Sequence, residues 1–305
     1  MALAVRNDEG AGRKHVPVMV GEVCDLLCAH GPLAIVDVTL GMGGHAEAML
    51  ARTRARLLGI DRDESALEAA RERLAPFGDR ATLRHGDFGD IAAIMREAGF
   101  PAADAILADL GMSSFALDDA ERGFSFRSDG PLDMRMDQSQ GMRAYDVVNE
   151  EAEAELARII YTYGEERASR RIAKTIVEAR RRRRIETTGE LRALVERALG
   201  PQRRGGVHPA TRTFQALRIA VNHEMERLAR FLREAPEMLV PRGRLVIISY
   251  HSLEDRPVKE RFRELSSDGN FARVTTKVMK PSASETAANP RARSARLRCL
   301  ERNAS

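Results

Sequence analysis

A glycine-rich segment has residue types that suit the binding of a small charged ligand. It runs Asp37-Val-Thr-Leu-Gly41-Met-Gly43-Gly44-His45 and lies between an aliphatic run and a helical pattern. Glycines allow a sharp turn and let the backbone approach a ligand closely, because no Cβ blocks the contact. Glycine turns between a strand and a helix are also common for purely geometric reasons. The segment therefore indicates a binding loop without identifying the ligand.

Asp61 narrows the choice of ligand. It lies twenty residues after Gly41, at the end of the second aliphatic run. A carboxylate at that point can accept hydrogen bonds from both hydroxyls of an adenosyl ribose, so a dinucleotide and S-adenosylmethionine are both candidates. The loop lacks the third glycine of the G-x-G-x-x-G pattern, which lets a helix pack closely beside a pyrophosphate. This difference favours S-adenosylmethionine.

Three more side chains, on the next two predicted strands, suit the same ligand. Asp87 and Phe88 come after the third strand, and Asp109 lies in the fourth. We expect the Phe88 ring to cover an adenine face. Asp87 is expected either to accept a hydrogen bond from the adenine amino group or to cap a turn. Asp109 is expected to lie where a methylsulfonium would be placed.

A parallel sheet would bring these residues together, and the first third of the chain predicts one. Short aliphatic or β-branched runs alternate with Ala/Glu/Arg-rich stretches that are typical of helices, such as 64–74. Ligands of open α/β sheets bind outside the carboxyl ends of the strands, where these polar residues fall. The predicted strands cover 34–39, 56–61, 81–85, 104–110 and, as a central buried strand, 244–250.

The α/β pattern is interrupted after Leu110. A segment rich in Gly, Asp, Ser and Met is followed by helical patterns over 150–163, 167–184 and 190–199, the last with a capping box of Thr187 and Glu190. A long helix over 210–233 then resumes the α/β pattern. The sequence thus predicts an α/β domain made of residues 1–114 and 207–305. An all-helical insert over 115–206 separates its two parts.

Basic residues are clustered, although the net charge is small. The 305 residues hold 49 Lys and Arg against 45 Asp and Glu, a formal charge of +4. Five consecutive arginines lie at 180–184, with Arg203, Arg204 and an arginine-rich tail from Lys277 onward. Such clusters neutralise RNA phosphates, although a solvated helix end is the simpler alternative. Since only 5% of residues are aromatic, we expect recognition of folded RNA and a single flipped base.

Composition argues against several other classes of site. The cysteines Cys24, Cys28 and Cys299 are odd in number and form no C-x-x-C pair, so neither a disulfide framework nor a zinc site is predicted. The aspartates in and around PLDMRMD (131–137) lack the spacing of a calcium loop, and no metal is expected. No apolar run could span a bilayer, and the first twenty residues lack the core of a secretory signal. We therefore expect a cytoplasmic protein without membrane contact.

A series of longer motifs covers nearly the whole chain. They are HVPVM (15–19), GMGGH (41–45), GIDRD (59–63), DLGMSS (109–114), RGFSF (122–126), PLDMRMD (131–137), YGEER (163–167), HPATRTFQALRIAVN (208–222), ISYHSLED (248–255) and NPRARSARLR (289–298). In type and order they resemble the bacterial ribosomal small-subunit cytosine-N4 methyltransferases, the methyltransferase H family.

The resemblance implies a Rossmann-like S-adenosylmethionine-dependent methyltransferase domain with an inserted helical substrate-recognition domain. The implied reaction is methylation of the exocyclic N4 amine of a decoding-centre cytosine in 16S rRNA of the small ribosomal subunit. A homodimer is compatible with the family pattern. One position departs from it: the family's usual glutamine falls on Ala116, which removes an expected side-chain hydrogen bond. The family's cofactor contacts carry over onto Gly43, Gly44, His45, Asp61, Phe88 and Asp109.

The chemistry favours attack by nitrogen, with Asp109 as the candidate catalytic residue. An acceptor for one N–H proton helps a conjugated amine to attack a methyl group, and Asp109 is the acid expected nearest to it. Methylation at cytosine C5 would need a cysteine nucleophile, and no cysteine is placed near the predicted site. Two other interpretations stay open at this point: a nicotinamide-dependent dehydrogenase, and a catalytically silent RNA-binding assembly factor on the same fold.

Overall fold

A seven-stranded sheet forms the centre of the molecule. The computed structural model describes residues 17–112, 117–200 and 208–304. The strand order is β3-β2-β1-β4-β5-β7-β6. The first five strands in that order are parallel, and β7 is antiparallel to both of its neighbours. The predicted α/β class is therefore confirmed. The strands are β1 Ala34–Asp37, β2 Arg56–Asp61, β3 Ala81–His85, β4 Ala103–Asp109, β5 Leu239–Ser249, β6 Phe271–Arg273 and β7 Arg296–Arg302.

The arginine-rich tail contains a strand that the sequence analysis missed. In β7 the arginines alternate with apolar side chains, and Leu297, Cys299 and Leu300 are fully buried. The strand pairs with β5 on one side and β6 on the other. The tail was interpreted as an RNA-binding segment because its charge hid this apolar alternation. The residues of β7 thus have a structural role in the sheet, and RNA binding by the tail stays a prediction.

Helices cover both faces of the sheet. On one face, α1, α2 and α3 pack with the strands into one apolar cluster. On the other, α4, α10 and α11 pack into a second cluster. These helices are α1 Val20–Leu27, α2 Gly44–Arg52, α3 Glu64–Leu74, α4 Ile91–Glu97, α10 Glu224–Glu234 and α11 Ser252–Ser267, and a further short helix, α12, covers Ala283–Ala288.

A third apolar cluster lies in a helical body built mainly from residues between β4 and β5. Its helices are α5 Ala144–Glu150, α6 Glu153–Gly164, α7 Ser169–Arg180, α8 Thr188–Leu199 and α9 Ala210–Asn222. The predicted capping box at the start of α8 is present, because Glu190 N–H donates to Thr187 Oγ1 at 3.2 Å. The helix α5 was not predicted. Phe214 and Leu217 of α9 also belong to this cluster, so the packing extends past residue 206.

The single helix predicted over 210–233 is two helices. The helix is interrupted at His223, which has φ 50° and ψ 40°. The apolar spacing runs through the break, which is why the sequence pattern concealed it. The two halves have different partners: α9 packs in the helical body and α10 packs against the sheet. Asn222, the last residue of α9, donates to the Met134 carbonyl at 2.7 Å and accepts from Met136 N–H at 2.8 Å.

Candidate active site

A cavity lies at the carboxyl ends of the parallel strands. Its wall combines the loop between β1 and α2, the ends of β2 and β4, the turn after β3 and the first turns of α10 and α11. The structure thereby brings together five of the six predicted cofactor residues: Gly44, His45, Asp61, Phe88 and Asp109. Gly43 does not line the cavity. Strand ends that are distant in the sequence meet here because the strands are parallel.

The two glycines at the start of α2 are required for different structural reasons. Gly43 caps the helix with φ 77°, and a Cβ on it would touch Leu74 and Ala70 of α3. A Cβ on Gly44 would lie 2.5 Å from Cγ of Pro17. Gly43 therefore permits the left-handed turn and the close packing on α3, whereas Gly44 admits the segment that closes one side of the cavity.

His45 holds that same segment. Its Nε2 is hydrogen-bonded to the Val18 carbonyl at 2.9 Å, and the residue is buried. The imidazole thus ties the chain before α1 to the start of α2. His45 also lines the cavity, so a contact with the cofactor stays a prediction beside this structural role.

Asp61 is oriented by backbone groups. Its Oδ2 accepts from Gly41 N–H at 2.7 Å, and its Oδ1 accepts from Asp63 N–H at 2.9 Å. Burial raises the pKa of Asp61, and the backbone hydrogen bonds oppose that rise. A carboxylate has about four acceptor sites, so capacity remains for two ribose hydroxyls. The glycine loop and the acid are therefore one hydrogen-bonded unit.

Of the two expectations for Asp87, the structure supports the turn cap. Asp87 Oδ1 accepts from Gly89 N–H at 2.8 Å, and Oδ2 pairs with Arg227 Nε at 2.8 Å. Asp87 does not line the cavity, whereas Phe88 does. The Phe88 ring packs edge-on against Phe231 at 5.5 Å between centroids. Phe88 thus has a fixed apolar face that an adenine can cover.

Asp109 ends β4 in the wall of the cavity. Its N–H donates to Thr39 Oγ1 at 2.6 Å, and its Oδ1 accepts from Gly111 N–H at 3.1 Å. Below it lies Asp37, an acid to which the sequence analysis gave no role. Asp37 is 1% exposed, and its Oδ2 has no hydrogen-bond partner. Burial above all, with the nearby charges of Asp109 and Asp61, raises its pKa to about 8. Its place at the end of β1 could have drawn attention to it.

The wall opposite the glycine loop is held by ion pairs. Glu224 and Glu254 both line the cavity. Within the described residues they form, with His251, a group whose ligand atoms lie within 4.8 Å of one another. Arg218 already contacts this group, because its Nε and Nη2 each donate to Glu224 at 2.8 Å. The guanidinium compensates the negative charge there.

One buried ion pair joins the chain after β2 to the loop after β4. Arg122 Nη1 donates to Asp63 Oδ2 at 2.7 Å, and Arg122 Nη2 donates to the carbonyls of Arg135 and Met136. Arg135 in turn pairs with Asp133 at 2.8 Å. The motif PLDMRMD therefore acts mainly through internal contacts, although its Met136 also lines the cavity.

The clustered arginines have divided roles. Arg180 donates to the carbonyls of Val148 and Glu151, and Arg183 pairs with Glu190. In the tail, Arg298 pairs with Asp255 at 2.7 Å. Arg181 and Arg182 are exposed. Arg203, Arg204 and Ala116 lie outside the described residues.

The remaining expectations concern cysteines and membranes. Cys24, Cys28 and Cys299 are unpaired thiols, and none of them lines the cavity. Among the described residues, no helix has both the length and the apolar character needed to cross a bilayer.

The fold and the cavity fit one class of enzyme. One cavity brings together a glycine loop after β1, an acid with acceptor capacity at the end of β2, an apolar ring after β3 and a second acid at the end of β4. This arrangement at the carboxyl ends of parallel strands suits an adenosyl cofactor. The protein is a Rossmann-like, S-adenosylmethionine-dependent methyltransferase.

The chain belongs to the MraW methylase family, whose model matches residues 12–303. It is 49% identical over 291 residues to a protein of Sorangium cellulosum named ribosomal RNA small subunit methyltransferase H, covering 95% of this chain and 91% of that one. A protein of the same name from Thermobifida fusca is 49% identical over 307 residues, covering 94% and 93%. A solved rRNA methylase from Streptococcus thermophilus has 11% identity and a TM-score of 0.43, covering 93% and 94%. The family assignment rests on the sequence matches.

Proposed function

We propose that this methyltransferase acts on 16S rRNA of the small ribosomal subunit and methylates the exocyclic N4 amine of a cytosine in the decoding centre. The observation that carries the proposal is Asp109, an acid in the cavity wall beside the predicted cofactor residues. The names of the relatives support the ribosomal RNA substrate. The cytoplasmic location and the homodimer stay predictions.

The cofactor half of the cavity would hold S-adenosylmethionine through residues with distinct tasks. Asp61 would accept the ribose hydroxyls, and Phe88 would cover the adenine. The glycine loop, with Gly44 and His45 on the cavity side, would allow close approach of the backbone. When bound, S-adenosylmethionine supplies a methyl group that the positive sulfur has already activated. The protein's main task is then to align this methyl group with the incoming nitrogen at about 3–3.5 Å.

Asp109 would act on the amine. The N4 lone pair is delocalised into the cytosine ring, which makes the amine a weak nucleophile. A carboxylate that accepts one N–H localises the lone pair for attack and takes the proton as the N–C bond forms and the C–S bond breaks. The bonding pair stays with sulfur. The absence of a cysteine from the cavity wall supports attack by nitrogen over addition at C5.

The helical insert over 115–206 would bind the RNA. The exposed Arg181 and Arg182 lie just after α7 on this body. Arginines at an exposed turn can neutralise phosphates without reading sequence, so the target base must be selected inside the cavity. The assignment of 115–206 as a separate recognition domain is part of this proposal.

Asp109→Asn tests the proposal because it preserves shape and removes the charge. We expect methyl transfer to fall at least about 1,000-fold, with S-adenosylhomocysteine binding retained. Asp79→Asn, an exposed acid away from the cavity, is the matched control. The assay uses labelled cofactor with small subunits and with free 16S rRNA, followed by nucleoside mass analysis.

Three outcomes would contradict the proposal or its catalytic assignment. Label in 5-methylcytidine would refute the nitrogen acceptor. Label in neither RNA substrate, despite tight binding of the subunit, would support the silent assembly factor instead. Normal turnover by Asp109→Asn would remove Asp109 from the chemistry.

A further inference from the structure

Tyr250 lies beside Asp109 although the two residues are far apart in the sequence. It follows β5, the strand that pairs with β4, and the register places Asp109 opposite Ile248. The Leu110 N–H donates to the Ile248 carbonyl at 2.9 Å, so the two strand ends continue side by side. The pairing of β4 with β5 therefore brings Tyr250 close to Asp109.

Gly111 provides the space for the Tyr250 ring. A Cβ on Gly111 would lie 2.6 Å from Cε2 and 2.8 Å from Cζ of the ring, and 3.1 Å from Asp109 Oδ1. A side chain at this position would thus collide with the hydroxyl-bearing carbon of Tyr250 and would also contact the carboxylate of Asp109. Only glycine leaves the ring this close to the Asp109 carboxylate.

The Tyr250 backbone is fixed independently of its ring. Its N–H donates to Glu254 Oε2 at 2.7 Å, and the Glu254 side chain is only 4% exposed. Glu254 lies in the first turn of α11, where a carboxylate is favourable. The Tyr250 side chain therefore lies beside Asp109 with its backbone fixed by Glu254 and its ring packed against Gly111.

The hydroxyl is a neutral donor. Burial raises the pKa of Tyr250, and the charge of Asp109 and hydrogen bonding to it raise it further, with smaller contributions from Glu254 and Glu285. The Tyr250 hydroxyl thus keeps its proton throughout the pH range in which enzymes are assayed. A hydrogen bond to an ionised acceptor is stronger than one between neutral groups.

We propose that Tyr250 is a positioning residue that orients the Asp109 carboxylate toward the acceptor amine. This inference rests on the proposed function, because it assigns Asp109 to the amine. The Gly111 N–H donates to Asp109 Oδ1 at 3.1 Å, and the Tyr250 ring packs beside the same carboxylate. A hydrogen bond from the Tyr250 hydroxyl would fix the direction of the remaining lone pairs. A carboxylate that can rotate would spend less time aligned with the incoming N–H.

Tyr250→Phe is the test, because it keeps the ring in its space and removes the donor. We expect kcat at neutral pH to fall about tenfold, with the KM for S-adenosylmethionine changed less than about twofold. A fall in kcat without a matching rise in KM is the result expected when a group acts only on the chemical step, and it separates positioning from weakened cofactor binding. The other charged groups that face this pair, Asp37, Glu254 and Glu285, are unchanged in the variant.

Tyr161→Phe, at a tyrosine that is 62% exposed, is the matched control and should leave both quantities unchanged. Gly111→Ala is an independent test, since it displaces the ring but keeps the hydroxyl, and it should also lower kcat. Calorimetric binding of S-adenosylhomocysteine shows that each variant is folded.

The possible failures can be told apart. If the wild-type enzyme produces no N4-methylcytidine, the proposed function is wrong. If it does, and a folded Tyr250→Phe enzyme keeps the wild-type kcat, the positioning role alone is overturned. A lower kcat accompanied by an equally large rise in the KM for S-adenosylmethionine also overturns it, since a merely structural change would have that result.

Discussion

The two walls of the cavity are held by different means. On the glycine-loop side, backbone N–H groups of Gly41 and Asp63 fix the acid Asp61. On the opposite side, side chains fix one another, as in the pair of Arg218 with Glu224. Backbone donors are placed by the fold itself, whereas side-chain pairs need every partner present. The first wall should therefore tolerate mutation around it better than the second.

The largest expected effect concerns the buried ion pair between Arg122 and Asp63, next to the backbone-held wall. Arg122→Leu leaves the buried Asp63 carboxylate without its cation, and breaking a buried pair in this way costs about 3–5 kcal/mol. Urea unfolding should show this loss as a lower midpoint. Arg127→Leu, at an exposed arginine of the same loop, is the control. A decrease of less than about 1 kcal/mol in the free energy of unfolding would mean that the fold does not depend on the pairing of Asp63 with Arg122.

A smaller effect is expected on the backbone-held wall. Asp61→Ala removes the acceptor for two ribose hydroxyls and leaves Gly41 N–H without its partner. Each hydrogen bond to a charged group contributes about 1.5–3 kcal/mol, so S-adenosylhomocysteine should bind about 100-fold more weakly. Calorimetry measures this directly, with Asp79→Ala as the control. Unchanged affinity would place the ribose elsewhere.

The buried acid Asp37, at the end of β1, should make the stability of the protein depend on pH. Its pKa is about 8 in the folded protein against an ordinary value of 3.8. Folded protein thus binds this proton more tightly than unfolded protein does, and the stabilisation present below about pH 4 is lost as the pH rises toward 8. Asp37→Asn cannot ionise. Between pH 5 and 6.5 it should therefore gain roughly 2 kcal/mol in free energy of unfolding relative to wild type. Parallel stability curves for the two proteins would refute the shifted pKa.

The smallest effect is expected outside the cavity. Replacing Arg181 and Arg182 with Ala removes two exposed charges from the helical body. We expect weaker binding to small subunits by about tenfold at low salt, and a binding constant that depends less steeply on salt concentration. The control variant replaces Arg54 and Arg96, which are exposed on the α/β body. An equal loss in both variants would show that the basic surface is not localised.

The contrast between the walls also explains what the sequence could predict. The glycine loop, Asp61 and Phe88 are local signals, because each follows a strand directly. The opposite wall is assembled from residues of α9, α10 and the chain after β5, and no spacing rule connects Arg218 or Tyr250 with Asp109. In the tail, the high density of arginines concealed a strand, because they alternate with the buried side chains of β7.

Apolar periodicity was informative about helices but not about their partners. The stripe from Phe214 to Leu232 is continuous in the sequence, yet its two parts enter different cores. The left-handed residue between them, His223, is not a glycine, so no local signal marked the break. Tertiary packing determined the boundary there.

That break connects the helical body directly to the cavity wall. Asn222 is bonded to the loop at Met134, and Glu224, two positions later, already belongs to the cavity wall. If the helical body binds RNA as proposed, a rotation of α9 would be transmitted through His223 to Glu224 in the cavity wall. Binding of the RNA and the shape of the cavity would then be mechanically coupled.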